Sequence, residues 1–157
     1  MKSRRPADRP SDPPADRTTG KRTAEIGAEE ALRLLESVGL GRIVFTRHAL
    51  PAISPVSHLL DGDDIIVRVQ DGATLAAVLA AQDGFGVVVA YEADAIDPGT
   101  GRGWSVVATG YASPVTDPAE LNRYTHLLTT WPDAPESGAV RIRPTMVTGF
   151  MLRADVA

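Results

Sequence analysis

The stretch that most constrains the fold is residues 39–70, which read GLGRIVFTRHALPAISPVSHLLDGDDIIVRVQ. Three segments rich in β-branched and apolar residues lie within it, at 42–46, 52–60 and 64–70. Asp61 and Gly62 give a hairpin signal between the second and third segments. Pro55 interrupts the second segment and predicts an edge or a bulge, because proline cannot donate a ladder hydrogen bond. The stretch therefore predicts three strands joined by turns.

The rest of the chain predicts three more strands and three helices. The strands are expected at 86–91, 103–114 and 140–152, and the helices at 28–38, at 73–81 and after residue 117. Asp117 provides an N-cap, Pro118 fits the first helical position, and Glu120 follows in the first turn. The wholly apolar strand at 86–91 is expected to be buried on both faces, and Pro144 predicts a bulge or bend in the last strand.

This order of elements predicts a mostly β (β+α) protein. Six strands joined largely by hairpins favour an antiparallel barrel with peripheral helices, whereas a doubly wound sheet requires regular alternation of strands and helices. Residues 1–23 are rich in Pro, Asp, Arg and Thr and contain almost no large apolar side chain. Such a segment cannot offset its ordering entropy by burial, so we expect a disordered tail at 1–23 and one domain at 24–157.

The charge distribution argues against nucleic acid as the partner. The first 22 of the 157 residues hold seven basic and three acidic side chains, which leaves nine basic and 17 acidic residues downstream, or a charge of about −8. So acidic a domain is a poor binder of polyanions. All nine downstream basic residues are arginines, so a phosphate held there by a charged side chain must meet an arginine, whose planar fork suits it.

Other classes of function are also disfavoured. The chain has no cysteine, which excludes disulfides, thiolate nucleophiles and sulfur-ligated metals. No apolar run approaches the roughly 20 residues that span a bilayer, and the N-terminus lacks the apolar region of a secretory signal, so a cytoplasmic location without membrane contact is expected. His48 and His58 could approach each other across a hairpin, but no motif supplies a third ligand, so no metal site is predicted.

Local sequence words along almost the whole length from Glu29 to Gly149 resemble those of one family. These words are Leu34-Leu35, Gly39-Leu40-Gly41-Arg42-Ile43-Val44-Phe45-Thr46, Leu50-Pro51, Ser54-Pro55-Val56, Asp61-Gly62, Ile65-Ile66-Val67-Arg68, Gly72 with Thr74-Leu75, Gly103-Trp104-Ser105-Val106, Thr109-Gly110, Asp117-Pro118-Ala119-Glu120-Leu121, Arg141-Ile142-Arg143-Pro144 and Val147-Thr148-Gly149. In order and spacing the chain resembles the pyridoxamine 5'-phosphate oxidase-like FMN-binding split barrels.

The resemblance implies a six-stranded antiparallel split β-barrel that forms a homodimer, with two FMN sites at the subunit interface. It implies seven cofactor-binding residues: Ser54, Pro55, Val56, Ser57, Arg68, Thr74 and Trp104. Arg68 and Thr74 would hold the phosphate, residues 54–57 would lie along the flavin ring, and Trp104 would pack near the flavin or the interface. The residues alone leave other roles open: Arg68 as a strand-edge partner of a nearby Asp, Thr74 as an N-cap and Trp104 as a core or interface residue. It assigns no catalytic side chain. His58, near the presumed flavin edge, is either a substrate contact and proton donor or a half-exposed strand histidine.

Two positions depart from the family pattern and leave the function open. Many flavin-binding relatives have a lysine where Thr74 stands, and relatives often carry a basic or aromatic polar residue where Phe150 follows the final Thr-Gly. The leading hypothesis is an FMN-dependent oxidoreductase that acts on a small organic molecule. The alternatives are a non-catalytic flavin- or ligand-binding protein and a reductase of the same fold that uses a deazaflavin.

Overall fold

The computed structural model describes residues 22–70, 74–81, 84–128 and 137–153. It has ten elements in these ranges, in the order β1 (Arg22–Ile26), α1 (Ala28–Glu36), β2 (Leu40–Arg47), β3 (Leu50–Asp61), β4 (Asp64–Gln70), α2 (Thr74–Ala80), β5 (Val87–Ile96), β6 (Gly103–Pro114), α3 (Pro118–Leu127) and β7 (Ser137–Arg153). Every predicted element that falls in these ranges is present, with bounds that differ by a few residues.

The strands form an antiparallel barrel that is only partly closed. The sheet order is β1-β7-β4-β3-β2-β5-β6, and a further pairing between β6 and β7 closes the ring. The seam between β3 and β4 is short, because their register extends only from His58↔Val67 to Asp61↔Asp64. The predicted mostly-β split barrel with peripheral helices is therefore confirmed.

One strand was not predicted. Residues 22 and 23, assigned to the tail, begin β1, which pairs with the end of β7 from Arg22↔Arg153 to Ile26↔Gly149. The 17-residue β7 offers a free edge there, and an edge strand needs only backbone hydrogen bonds, which leave little trace in the sequence. Residues 1–21, the rest of the predicted tail, lie outside the described residues.

The prediction for the strand at 86–91 was wrong in one respect. Its side chains alternate, with Val87, Val89 and Tyr91 buried, whereas Val88 is 61% exposed. The helices cover other parts of the barrel, so the outer face of β5 at Val88 meets solvent. The proline predictions are confirmed: within the described part of the chain β3 pairs only with β2 around Pro55, and a register shift accompanies the pairing of Pro144 with Gly110.

The described residues form two hydrophobic cores, which hold the helices against the barrel. The main core fills the barrel and includes the buried faces of α1 (Ala31, Leu35) and α2 (Leu75, Leu79). A smaller core, made of Ile66, Val115, Tyr124, Leu128 and Ala139, lies between α3 and the outer side of β4 and β7. Helix α3 begins as predicted, since the Asp117 carboxylate accepts the Glu120 N–H at 2.9 Å.

Candidate functional site

The strands β3 and β4 separate at a point that brings several predicted site residues together. Their last common pair is His58↔Val67, and the next residues along the two strands are Ser57 and Arg68. We call this point the β3–β4 fork. Residues 54–57 continue along β3 on one side of the fork, and Arg68 lies on the other side. The fork therefore unites the two parts of the predicted site that lie on these strands.

The side chains of residues 54–57 alternate as the register requires. Val56 is buried in the main core, so only its backbone can meet a ligand, whereas Ser54 and Ser57 are half-buried and Pro55 is exposed. Among the described residues, no strand pairs with the second edge of β3 at positions 50–57. An unpaired strand edge presents backbone donors and acceptors together with its side chains. This edge suits a planar ring with polar groups on its rim.

Arg68 projects from the outer side of β4. Its neighbours Val67 and Val69 belong to the barrel core, so Arg68 shares the other face with Ile66, beneath α3. Its Nη1 donates to the Leu128 carbonyl at the end of α3, at 3.0 Å. Helix-terminal carbonyls are common partners of arginine because they carry the negative end of the helix dipole. Arg68 thus holds α3 in place as well as being the predicted phosphate ligand.

Thr74 is the first residue of α2 and is half-buried. The residue before it, where an N-cap would stand, lies outside the described residues. Leu75 and Leu79 anchor this short helix in the main core. Thr74 therefore follows the end of β4 closely in the chain, on a segment whose position is fixed by packing.

Trp104 occupies a different part of the barrel. It is 8% exposed, belongs to the main core, and pairs with Ala95 on β5 and Met151 on β7. Around the ring, β6 lies three strands from β3 and two from β4. Within one chain Trp104 is a core residue, and the structure does not bring it to the β3–β4 fork.

His58 is buried, contrary to the expectation of a half-exposed strand histidine. It is 5% exposed, and its Nε2 lies 2.8 Å from the Leu35 carbonyl, which can only accept, so Nε2 carries the proton. Its Nδ1 therefore accepts the hydrogen bond from the Tyr91 hydroxyl at 2.5 Å. Burial lowers the pKa of His58 and raises that of Tyr91. No sequence pattern indicated this pair, whose members are 33 residues apart.

A second polar network ties α3 to the β3–β4 hairpin. The Tyr124 hydroxyl accepts from Arg141 at 2.8 Å and from Arg123 at 3.0 Å, and it donates to Asp61. Arg141 also pairs with Asp64 at 2.8 Å. The hydrogen bond from Tyr124 is the main cause of the lowered pKa of Asp61. This network, which sequence patterns did not reveal, orients α3, the helix that also receives Arg68.

A cleft of about 450 Å³ opens beside residues 54–57. It is lined by residues 38–42, Pro55, Ala93 and Asp94. On its wall, Nη1 of Arg42 lies 3.6 Å from Oε2 of Glu92. The pKa of Glu92 is raised, mainly because the carboxyl is buried and also because it interacts with Asp94. The cleft therefore carries charges of both signs. Among the described residues, no group of three His, Asp or Glu side chains is arranged to hold a metal ion.

The residue types at the β3–β4 fork fit a phosphorylated aromatic cofactor. The Arg68 guanidinium is a suitable phosphate donor, and the serine-bearing strand edge can bind the polar rim of a ring, whereas Thr74 lies on α2, four residues beyond the end of β4. Lysine, the commonest cationic alternative, is absent from every position after Lys21. Among the described residues every Lys or Arg position is therefore an arginine, and Arg68 begins one arm of the fork.

Comparison with known proteins shows which family has this arrangement. The model of the family described as pyridoxamine 5'-phosphate oxidase matches residues 27–151. The chain belongs to the pyridoxamine 5'-phosphate oxidase family. The match begins just before α1 and ends within β7, so it includes the whole β3–β4 fork.

The chain is also similar to individual proteins over most of its length. The uncharacterized protein Rv0080 of Mycobacterium tuberculosis is 44% identical over 137 residues, which are 87% of this chain and 90% of that protein. The FAD binding protein of Mycobacterium smegmatis is 31% identical, with a TM-score of 0.64 over 82% of this chain and 97% of its own. An FAD-binding protein of Mesorhizobium loti, 19% identical, shares the fold, with a TM-score of 0.69 over 85% and 99% of the two chains.

Among the described helices, none has the length and apolar character of a membrane-spanning helix.

Proposed function

We propose that this protein binds a flavin at the β3–β4 fork and uses it to transfer hydride or electrons to or from a small organic molecule in the cytoplasm. The observation that carries the proposal is the fork itself, where Ser57 and Arg68 begin the diverging parts of two strands. The family membership and the 31% identity to an FAD binding protein support the same cofactor class.

Arg68, Thr74 and the strand edge at residues 54–57 have distinct roles in this proposal. Arg68 and Thr74 bind the phosphate, because a guanidinium and a hydroxyl donate to its oxygens. Ser54, Ser57 and the backbone edge between them orient the ring. When bound, the flavin supplies the redox chemistry, whereas the protein supplies position, electrostatics and exclusion of water. No side chain needs to act as an obligatory acid or base.

The outer face of the barrel supports a homodimer. Ile53, Val88, Tyr111 and Met146 are each at least half exposed. Their side chains share the outer side of the sheet, because Ile53 pairs with Val44, Val44 with Ala90, Val88 with Tyr111 and Thr109 with Met146. Ala90 and Val88 are two positions apart on β5, and Tyr111 and Thr109 are two positions apart on β6, so each of these pairs also points to the same side. Exposed apolar patches of this kind mark interaction surfaces. We call this patch the outer apolar face, and in the proposal it meets a second copy of the chain and places the flavin sites at the interface.

Two observations favour a second candidate function. Thr74 stands where relatives carry a lysine, and Arg68 already donates to Leu128. In such a site the cationic side chain that binds the phosphate, Arg68, also binds the end of α3. This arrangement suits a weakly held ligand. The alternatives are therefore a non-catalytic flavin carrier or sensor and a reductase that uses a deazaflavin.

Titration of the purified protein with FMN, FAD and a deazaflavin, followed by absorbance, tests the proposal. Saturable binding of FMN or FAD with a shifted flavin band supports it, and subsequent NAD(P)H consumption separates the oxidoreductase from a carrier. Selective retention of the deazaflavin favours the third function. Failure of all three to bind contradicts the proposal.

The Arg68→Ala substitution tests the phosphate assignment. We expect the Kd for FMN to rise at least about tenfold, because a charge-assisted hydrogen bond contributes roughly 1.5–3 kcal/mol. Arg123→Ala is the matched control, since Arg123 is a more exposed arginine on α3 whose partners are Asp61 and Tyr124. Melting temperatures of both variants control for the lost contact with Leu128. An unchanged FMN affinity in Arg68→Ala would count against the assignment.

A further inference from the structure

His58 joins four parts of the molecule at the β3–β4 fork. Its backbone N–H donates to the Gly39 carbonyl at 3.0 Å, and its Cα pairs with Val67 of β4. Its ring binds the Leu35 carbonyl of α1 and the Tyr91 hydroxyl of β5. The residue therefore fixes β3 relative to its neighbour β4, to β5 beyond β2, to helix α1 and to the segment between α1 and β2.

The ring has little freedom to move. His58 and Tyr91 are both buried, and both ring nitrogens have partners. On the far side of Tyr91, a Cβ at Gly41 would overlap the tyrosine hydroxyl and the Glu92 carbonyl, so glycine there lets the tyrosine pack against β2. No buried side-chain N or O atom in the described part of the chain lacks a hydrogen bond. Loss of either ring partner would leave a buried polar group unsatisfied.

The neighbours of His58 connect this arrangement to the candidate site. Ser57 directly precedes His58 on β3, and Arg68 directly follows its partner Val67 on β4. A shift of His58 therefore moves both residues that begin the two arms of the fork. Val106, a buried core residue on β6, pairs with β5 and β7 and has no such connection to β3 or β4.

We propose that His58 is a positioning residue for the flavin site, which through Leu35 and Tyr91 fixes the separation of Ser57 and Arg68. That the ligand is a flavin rests on the proposed function, whereas the geometry around His58 does not. It assigns His58 no contact with the flavin and no proton transfer.

Hydrogen exchange of the protein without flavin tests the geometric part. His58→Leu removes both ring hydrogen bonds, Tyr91→Phe removes one, and His58→Gln keeps a donor and an acceptor at the end of its side chain. Val106→Ala is the control, a buried truncation on β6. We expect amides at 57–58 and 66–68 to exchange at least about tenfold faster in His58→Leu and Tyr91→Phe than in Val106→Ala, with His58→Gln closer to the wild type. Equal exchange patterns in Tyr91→Phe and Val106→Ala would overturn the proposal.

Flavin binding tests the connection to the site. Tyr91→Phe should raise the Kd at least about fivefold and alter the visible circular dichroism of the bound flavin, whereas Val106→Ala should change neither. His58→Gln should restore most of the affinity that His58→Leu loses. If the wild type binds no flavin, the proposed function fails while the exchange result still decides the role of His58. If the wild type binds flavin and Tyr91→Phe binds it equally well with the same spectrum, the positioning role is wrong.

Discussion

At the scale of single residues, the β3–β4 fork depends on contacts between residues that are far apart in the chain. The role of Arg68 as the phosphate ligand stays a prediction, and its contact with Leu128 was not foreseen. His58 and Tyr91 are 33 residues apart, so only the register of the sheet could reveal that they meet. Interactions across such a distance depend on tertiary structure, and local patterns of alternation do not record them.

The buried state of His58 predicts how stability depends on pH. Its pKa lies below 6.5 in the folded protein because burial disfavours the charged form, so the unfolded chain binds more protons in this range. This contribution to stability is fully present above about pH 6.5 and decreases as the pH falls below that value. Urea denaturation between pH 5 and 8 measures it.

His58→Gln is the control for that measurement, since glutamine does not titrate. Burial raises the pKa of Glu92, so the contribution of Glu92 to stability changes with pH in the opposite direction. The test therefore compares the pH dependence of stability of the wild type with that of His58→Gln. We expect the wild type to lose more stability than His58→Gln between pH 7 and pH 5. Parallel curves would show that His58 does not titrate differently in the folded and unfolded chains.

At the scale of elements, features that depend on neighbouring residues in the sequence were predicted correctly. Features that depend on distant residues were not. The start of α3 was predicted because Asp117 and Pro118 act within one turn of helix. Strand β1 was missed because it depends on the distant edge of β7, and the exposure of Val88 was missed because an apolar run does not show which face is covered. The fork itself depends on where the register between β3 and β4 ends, which composition does not encode.

The cap of α3 gives a prediction at this scale. Asp117→Ala should lower the free energy of unfolding by about 1 kcal/mol, because the Glu120 N–H loses its acceptor. Asp117→Asn should cost less, since its amide oxygen can still accept that bond. Urea denaturation of the three proteins provides the test. Equal stability of the wild type and Asp117→Ala would mean that water replaces the cap at no cost.

At the scale of the whole molecule, the fold class and family could be predicted because many local words occur in the right order. The outer apolar face could not be predicted, since its members lie on β3, β5, β6 and β7. Its members are separated by up to 93 positions, from Ile53 to Met146, and each alone is an ordinary strand residue. Only the register shows that they share one surface. Whether that surface meets a second copy is testable in solution.

Val88→Glu tests the dimer, because it places a charge on the outer apolar face without disturbing the core. We expect the wild type to sediment at twice the chain mass and the variant to dissociate at about 100-fold higher concentration, since burial of an unpaired charge costs several kcal/mol. Leu127→Glu is the control, because Leu127 is as exposed (62%) as Val88 (61%) but lies on α3. If Val88→Glu and Leu127→Glu sediment alike, the outer apolar face is not the interface. If Val88→Glu alone dissociates and also loses flavin, the cofactor site requires both copies of the chain.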